Sequence, residues 1–195
     1  MPVETPDTDI SNTNDPAMVE LLDDFFTNHA DSLFYFCYRR LGDAHAAQDA
    51  SSRIVLKAMK SLDHFSPDAS NPGATFRAWM YRIARNDLID YQRTHKPNSS
   101  LDRVNHDGDR IHDPADPSHG PEALAIAREA DARVRAALRH LPDSQRAIVE
   151  LRLAGLSGDE ICQTLGMTLS AIKSAQYRAY QRLRELLADT REDVR

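Results

Sequence analysis

The polar residues best suited to chemistry lie near the C-terminus, at three- and four-residue steps along one predicted helix. They are Ser170, Lys173, Ser174, Tyr177, Arg178 and Arg182. Such side chains can donate hydrogen bonds to phosphates and base edges, and one helix fits the major groove of B-form DNA. Residues 171–187 carry a net charge of +3, although the whole chain carries −6. This pattern predicts a local DNA-binding face; a solvated helix end that complements the helix dipole is the alternative.

A second predicted helix, over residues 76–96, interleaves basic and aromatic residues and also carries a net charge of +3. Basic side chains that follow a nucleic-acid backbone, with rings on which bases can stack, suit single strands. The candidate surface contacts are Arg77, Tyr81, Arg82, Arg85, Asn86 and Arg93. We expect Trp79 and Met80 to pack inward instead. Taken alone, this helix indicates only a basic amphipathic element.

The elements that must position these residues are predicted to be helices. Apolar residues recur at three- and four-residue steps over residues 21–41, 47–62 and 76–91. Residues 66–74 contain two prolines and one glycine and predict a loop, with the third helix starting near Thr75. No strand pattern occurs, so the predicted fold class is all-α.

The C-terminal elements carry clear boundary signals. Pro121 suits the first turn of a helix, and Ser157 and Glu160 have the spacing of a capping box. Gly166 can end that short helix, and Thr168 can cap the next one. Two short helices joined by a glycine turn, the second with a basic face, describe a helix-turn-helix.

Composition divides the chain into two predicted helical domains. Residues 1–20 contain no Lys or Arg and are expected to form a disordered acidic tail. Residues 97–120 are rich in Asp, Pro and Gly and predict a flexible acidic linker. The linker separates a three- to four-helix bundle at 21–96 from the helix-turn-helix domain at 121–190.

Several function classes are excluded or disfavoured. No apolar run approaches the ~18 residues of a membrane span, and the N-terminus does not resemble a signal peptide. Cys37 and Cys162 lack the spacing of a zinc site, so we expect no metal or cofactor, and a reducing cytoplasm as the location. The eight histidines are scattered, with no nucleophile elbow and no phosphate loop, so an enzyme is the weakest interpretation.

Three stretches together resemble the sigma-70 family. AHAAQDASSRIVLKAMKSL at 44–62 and FRAWMYRIARNDLIDYQR at 76–93 resemble region 2 of that family. LPDSQRAIVELRLAGLSGDEICQTLGMTLSAIKSAQYRAYQRLRELL at 141–187 resembles region 4. With only these two regions and a short linker, the chain is similar to the extracytoplasmic-function (ECF, group 4) sigma factors.

The resemblance implies a sigma factor that binds the beta-prime clamp and beta flap of core RNA polymerase and directs promoter-specific transcription initiation. The polymerase-binding residues would be Asp49, Ser52, Arg53 and Leu56. The helix at 76–96 and the loop at 66–75 would recognise and melt the −10 element, through the six contacts named above. Region 4 would read the −35 element with its exposed basic face. An anti-sigma factor is a further partner that the family suggests.

The chain departs from the family pattern at two places. Ser52 and Arg53 stand where Gln-Glu is usual, which predicts an altered polymerase-binding surface. Ala175 stands where a third basic residue is common, which predicts weaker or altered −35 binding. Two alternatives stay open: a sigma mimic that sequesters an anti-sigma factor, and a stand-alone helix-turn-helix transcriptional regulator.

Overall fold

The computed structural model describes the backbone of residues 15–95 and 121–192, and the side chains of residues 15–95 and 129–188. Those residues form seven α-helices and one 3-10 turn, with no strand, which confirms the all-α class. The helices are α1 Pro16–Leu41, α2 Ala44–Lys60, α3 Pro72–Thr94, α4 Pro121–Arg139, α5 Asp143–Leu153, α6 Gly158–Leu165 and α7 Leu169–Glu192, and the 3-10 turn is Leu62–His64. Most of the predicted tail and the predicted linker at 97–120 lie outside the described residues.

α1 begins inside the segment that was expected to be disordered. The Asp15 side chain accepts a hydrogen bond from the amide of Ala17 at 3.0 Å, and Pro16 occupies the first turn. Met18 is only 4% exposed and packs into the core. The expectation of a disordered tail is therefore wrong for residues 16–20, because a capped turn with one buried apolar residue extends the helix.

α3 begins at Pro72 rather than near Thr75. Asn71 caps it, since its side-chain oxygen accepts a hydrogen bond from the amide of Ala74 at 3.1 Å. Asn and Pro are favoured in loops, but they are equally favoured at a helix start, where proline's missing N–H costs nothing. The predicted loop is consequently shorter, and α3 gains a turn.

The predicted boundary signals of the helix-turn-helix are confirmed. Ser157 Oγ accepts from the Glu160 amide at 3.3 Å, and the Glu160 carboxylate accepts from the Ser157 amide at 2.7 Å. Gly166 ends α6 in the left-handed region, with φ 65°. Thr168 Oγ accepts from the amide of Ala171 at 3.3 Å, which caps α7. The turn between α6 and α7 is therefore specified by local chemistry.

The N-terminal bundle of α1, α2 and α3 is built around aromatic rings. Phe25, Phe36, Phe76 and Tyr81 are each at most 1% exposed. Phe36 and Tyr81 meet edge to face with ring centroids 5.3 Å apart, and Phe25 and Phe76 do so at 5.9 Å. These contacts hold α3 against α1, so the direction in which α3 presents its polar side chains is set by the core.

The C-terminal helices pack against this bundle instead of standing apart from it. Ile148, Leu151 and Ile161 of α5 and α6 belong to the same buried cluster as Phe25 and Phe76. A smaller cluster joins α4, α5 and α7, and it contains Leu138, Leu141, Val149 and Ala179. The two predicted domains therefore share one continuous apolar core in this structure.

Candidate nucleic-acid interface

α7 presents one polar face to solvent and one apolar face to the protein. Ile172, Ala175 and Ala179 are buried at steps of three and four residues. The exposed positions include all six predicted DNA contacts, Ser170, Lys173, Ser174, Tyr177, Arg178 and Arg182. Tyr177 is 66% exposed, which is unusual for a large ring and leaves it available to a partner. The predicted face thus exists as a contiguous surface.

α7 is held in place by α6 and by the end of α5. Arg152 donates to the carbonyl of Leu156 at 3.0 Å and to the side-chain oxygen of Gln176 at 3.4 Å. One guanidinium therefore joins the α5–α6 turn to Gln176, in the N-terminal half of α7. A helix held in this way can enter a groove as a rigid element, which is the mechanical requirement of a helix-turn-helix.

Ala175 does not lie on the exposed face of α7. It is 4% exposed and packs in the main apolar cluster. The alanine therefore removes no charge from the exposed face of α7, and weaker or altered −35 binding stays a prediction. A long basic side chain at this position would have to displace buried apolar neighbours.

The candidate contacts on α3 divide by exposure. Arg82, Asn86 and Arg93 are exposed, and Arg93 lies 3.8 Å from the carboxylate of Asp90. Arg77 and Arg85 are half-buried. The exposed members follow one side of α3 over several turns, where they can meet an extended strand.

Tyr81 is the clear exception among the predicted surface contacts. Its side chain is fully buried, and its ring packs against Phe36. Burial raises the pKa of the phenol strongly, and the hydroxyl has no hydrogen-bond partner among the described residues. The expectation that Tyr81 lies on the surface is wrong, because the aromatic core of α1 and α3 needs a ring at this position. Met80 is buried as expected, and Trp79 is half-buried.

Two arginines of α3 are held by α6, which the sequence did not indicate. Arg77 donates to the Glu160 carboxylate at 2.6 Å, and Arg82 donates to the main-chain carbonyl of Gln163 at 2.6 Å. Thr164 Oγ donates to the carbonyl of Ala78 at 3.2 Å. Burial alone would raise the pKa of Glu160, but hydrogen bonds from Ser157 and Arg77 hold that pKa below its ordinary value. The carboxylate is therefore ionised against the Arg77 guanidinium at neutral pH.

A second ionic contact joins α1 to α5. The carboxylate of Glu150, which is fully buried, accepts from Arg40 at 2.6 Å and from Arg146 at 2.6 Å. Arg146 also donates to the carbonyl of Arg39 at 3.4 Å. Sequence periodicity could not reveal this pairing, because Arg40 and Glu150 are far apart in the chain and each has the character of a surface residue.

The unusual Arg53 of α2 pairs with α3. Its guanidinium donates to both oxygens of Asp87, at 2.6 Å for the shortest bond, and Lys57 lies 2.5 Å from the same carboxylate. Burial would raise the pKa of Asp87, but these hydrogen bonds outweigh it and lower the pKa. The Arg53 guanidinium also lies over the ring of Tyr91, 5.3 Å from its centroid. Arg53 therefore joins two helices of the bundle and is only partly available to a partner.

α2 exposes apolar side chains next to the other predicted polymerase contacts. Asp49, Ser52 and Leu56 are exposed, and Leu56 is 58% exposed. Met59, one turn further along, is 46% exposed and was not singled out from the sequence. Its three-residue step from Leu56 was the available signal. The two residues form an apolar patch beside polar groups, which is typical of a protein-binding surface.

Other features of the described residues do not point to chemistry. No group of three or more His, Cys, Asp or Glu side chains there is arranged to hold a metal ion. Burial raises the pKa of Cys37 to about 11, so this thiol is a core residue, as predicted. None of the described helices has the length and apolarity required to cross a membrane.

Comparison with known families agrees with this arrangement. Residues 25–97 match Sigma-70 region 2, and residues 131–183 match Sigma-70, region 4. The first match contains α2 and α3, and the second contains α5, α6 and the part of α7 up to residue 183. The surfaces described above therefore lie within the two matched regions.

Relatives of known role resemble the chain over most of its length. It is 32% identical over 177 residues to the ECF RNA polymerase sigma factor SigE of Mycolicibacterium smegmatis, covering 90% of this chain and 65% of that one. It is 32% identical to the ECF RNA polymerase sigma factor ShbA of Streptomyces griseus, covering 77% of this chain and 79% of the relative.

A solved structure shares the fold. The sigma factor RpoE of Bartonella quintana, crystallised with the anti-sigma factor NepR, aligns with a TM-score of 0.59 and 24% identity, covering 86% of this chain and 96% of that chain. The two family matches together span more than half of the sequence. The alignment with ShbA covers more than three quarters of each chain. The chain therefore belongs to the sigma-70 family, and within it to the ECF RNA polymerase sigma factors.

Proposed function

We propose that this chain joins core RNA polymerase and directs initiation at promoters whose −35 element it reads with α7 and whose −10 element it reads and melts with α3. The observation that carries the proposal is the exposed face of α7. Six hydrogen-bonding side chains lie on one side of a helix that is buried on the other side and is fastened to α5 through Arg152. This role needs no chemical step by the chain itself.

The −35 contacts divide by chemistry. Lys173, Ser174 and Tyr177 lie toward the N-terminal end of α7, where a recognition helix meets base edges. Arg178 and Arg182 lie farther along the same helix, where they can neutralise phosphates. We expect the first group to set which sequence is read and the second to set salt-dependent affinity.

The −10 contacts are the exposed polar residues of α3. Asn86 has paired donor and acceptor groups for a base edge, and Arg82 and Arg93 can meet the phosphates of a separated strand. Arg77 and Arg85 are half-buried and flank these residues. An extruded base costs a few kcal/mol, and this surface together with the loop before α3 would offset that cost.

Polymerase binding is assigned to the exposed face of α2. Asp49, Ser52, Leu56 and Met59 share that face at helical spacing, and Leu56 and Met59 leave large apolar areas in water. Covering such a patch on a partner is favourable, at roughly 25 cal/mol per Å² of apolar surface buried. With such a partner, we expect the chain to act in the cytoplasm.

An anti-sigma factor is a second proposed partner. RpoE of Bartonella quintana was crystallised with the anti-sigma factor NepR, and it shares the fold of this chain. The exposed apolar side chains of α2 would suit either polymerase or such an inhibitor, because both would bury the same patch. The two partners would then compete.

The test is reconstitution of the purified full chain with core RNA polymerase. Leu56→Glu should abolish co-elution with the polymerase and transcription from a promoter library, because it places a charge in an apolar contact. Val19→Glu is the matched control, since Val19 is 49% exposed on α1, outside the proposed face. Wild-type protein that binds the polymerase without directing initiation at any sequence would overturn the proposal, and wild-type protein that binds no polymerase would favour a sigma mimic.

A further inference from the structure

Several buried polar atoms have no hydrogen-bond partner among the described residues, and they belong to α1, α3 and α5. They are Arg39 Nη1, Arg40 Nε, Tyr81 Oη, Arg85 Nε and Gln145 Oε1. Buried polar groups are nearly always paired, so a set of orphan atoms on neighbouring helices needs an explanation. Three of these atoms belong to guanidinium groups, which carry a positive charge at any physiological pH.

Contacts among these side chains bring them together. Arg146 of α5 donates to the main-chain carbonyl of Arg39 at 3.4 Å, and Arg39 interacts electrostatically with Tyr81 of α3. Arg85 follows Tyr81 by one helical turn, so the two side chains lie on the same side of α3. We call the following residues the arginine cluster: Arg39, Arg40, Tyr81, Arg85, Gln145, Arg146 and Glu150.

The arginine cluster contains more positive charge than its carboxylate balances. Both oxygens of buried Glu150 are occupied, one by Arg40 and the other by Arg146, each at 2.6 Å. Arg39 adds a further guanidinium, and burial lowers its pKa, although Asp131 and Glu150 act in the opposite direction. Asp131 is itself ion-paired within α4. The cluster is therefore cationic, and its charge is poorly solvated.

Unpaired guanidinium N–H groups with excess positive charge have the chemistry of an oxyanion site. Arginine binds phosphate and carboxylate oxygens through parallel N–H donors, and the charge of both partners strengthens these hydrogen bonds. Buried water would satisfy the N–H groups but would leave the positive charge unbalanced. A phosphate group does both, because it brings negative charge and several acceptor oxygens.

We propose that the arginine cluster binds a phosphate group, carried either by inorganic phosphate or by a small phosphorylated molecule such as a nucleotide. The orphan atoms are buried, so a nucleic-acid duplex cannot reach them, whereas a small ion can pass the half-buried side chains of Arg39 and Arg85. The hydroxyl of Tyr81 and the NH₂ group of Gln145 add uncharged donors. The site is separate from the exposed faces of α2 and α7, and it shares only Arg85 with the residues that flank the −10 contacts.

The test is calorimetric titration of the full chain with sodium phosphate, at fixed pH and ionic strength. We expect wild type to bind one phosphate per chain. Arg39→Gln should weaken binding at least tenfold, because it removes a charged donor but keeps a polar side chain of similar reach. Arg184→Gln is the matched control, since it removes the same charge from an exposed position on α7 and should bind phosphate like wild type.

Tyr81→Phe supplies a second and milder variant. It removes only the hydroxyl, while the ring keeps its packing against Phe36. We expect phosphate binding to weaken roughly three- to tenfold, the loss of one uncharged hydrogen bond. Circular dichroism confirms that each variant is folded, and Tyr81→Phe carries the test if Arg39→Gln does not fold.

The melting temperature supplies a second measurement and identifies the source of the phosphate group. Near saturation, phosphate should raise the melting temperature of wild type by roughly 3–6 °C relative to sodium chloride of equal ionic strength. The rise should be the same in Arg184→Gln and smaller in Arg39→Gln. Adenosine monophosphate is the second probe: a larger rise than with phosphate indicates a nucleotide, and a rise with phosphate alone indicates the free ion.

Two results would overturn the inference. One is that neither phosphate nor adenosine monophosphate binds to wild type, in which case buried water satisfies the orphan atoms. The other is equal phosphate affinity in wild type and in every folded variant of the arginine cluster, because binding would then take place elsewhere. Both results leave the proposed function intact, since the faces of α2 and α7 do not depend on this site.

Discussion

At the scale of single residues, burial decides which polar groups serve structure and which remain for partners. Tyr81 and Arg82 are neighbours on α3, yet one ring is fully buried and the other side chain is exposed. The same contrast separates Arg53, which is tied to buried Asp87, from exposed Ser52. Residue type alone does not predict whether a side chain is buried or exposed, because burial depends on which side of its helix is covered by other helices.

The Tyr81 ring should matter for stability through its packing and not through its hydroxyl. Tyr81→Phe should change the free energy of unfolding by less than about 1 kcal/mol, since the hydroxyl has no partner among the described residues. Tyr81→Ala should cost about 3–5 kcal/mol through the cavity it leaves. Urea denaturation followed by circular dichroism measures both. A large loss in Tyr81→Phe would indicate that the hydroxyl makes a contact that matters.

The pair of Arg53 and Asp87 should stabilise the bundle, because Asp87 is buried and its charge needs a partner. Arg53→Ala should cost about 1–2 kcal/mol, a value reduced because Arg53 is partly exposed and Lys57 remains beside the carboxylate. Arg53→Glu should cost more, since it places two carboxylates together. A double-mutant cycle with Asp87→Asn measures the coupling, and zero coupling would contradict the structural role.

At the scale of elements, α2 and α7 each bury one face in the core and leave the other exposed. α7 buries Ile172, Ala175 and Ala179 and exposes its hydrogen-bonding residues. α2 buries Ala47, Ala50, Ile54 and Ala58 and exposes Leu56 and Met59. Three of the four buried residues of α2 are alanines, so α2 can lie close to α1 and α3. Its larger side chains Leu56 and Met59 point to solvent.

Lys173 should contribute to reading the −35 element without affecting assembly with polymerase. Lys173→Ala should lower −35-dependent transcription by about tenfold, the loss expected for one good base contact. Arg184→Ala is the control, because it removes the same charge from an exposed position nearer the C-terminal end of α7. Transcription and polymerase co-elution are measured in parallel, and equal loss of both would show that Lys173 acts through folding or assembly.

At the scale of the whole molecule, the contact between the two regions contains a titratable group. Arg77 donates to Nε2 of His29 at 3.2 Å, and the same guanidinium holds Glu160. Burial and the charge of Arg77 lower the pKa of His29, while Asp24 and Glu160 act in the opposite direction. Protonated His29 would place a positive charge against Arg77, so the packing of α1, α3 and α6 favours the neutral imidazole.

Mild acid should therefore weaken the packing of α6 on α3. Because the folded-state pKa of His29 lies below its ordinary value of 6.5, its contribution to stability is complete above that value and declines as the pH falls below it. Lowering the pH from about 7.5 to about 5.5 should reduce the melting temperature and expand the chain. His29→Gln should flatten this dependence. If His29→Gln showed the same pH dependence of the melting temperature as wild type, titratable groups other than His29 would be responsible.

The sequence by itself determined the helical class, the helix-turn-helix and the face of α7, because these depend on local signals. Periodicity, caps and glycine stops act within a few residues, and they place Ser157, Glu160, Gly166 and Thr168 correctly. It missed the starts of α1 and α3, where Pro16 and Pro72 open helices within segments that resemble loops. At those points Asp, Asn and Pro are as common in a loop as at the start of a helix, so local sequence does not decide between the two.

Only the tertiary structure decided which polar residues are paired across the chain. Arg77 with Glu160, and Arg40 with Glu150, are brought together by packing between distant helices, and no local pattern encodes their meeting. The same packing buried Tyr81 and Ala175, since a position faces inward only when another element covers it. Sequence periodicity shows that a helix has two faces, and the neighbouring helices decide which of them stays exposed.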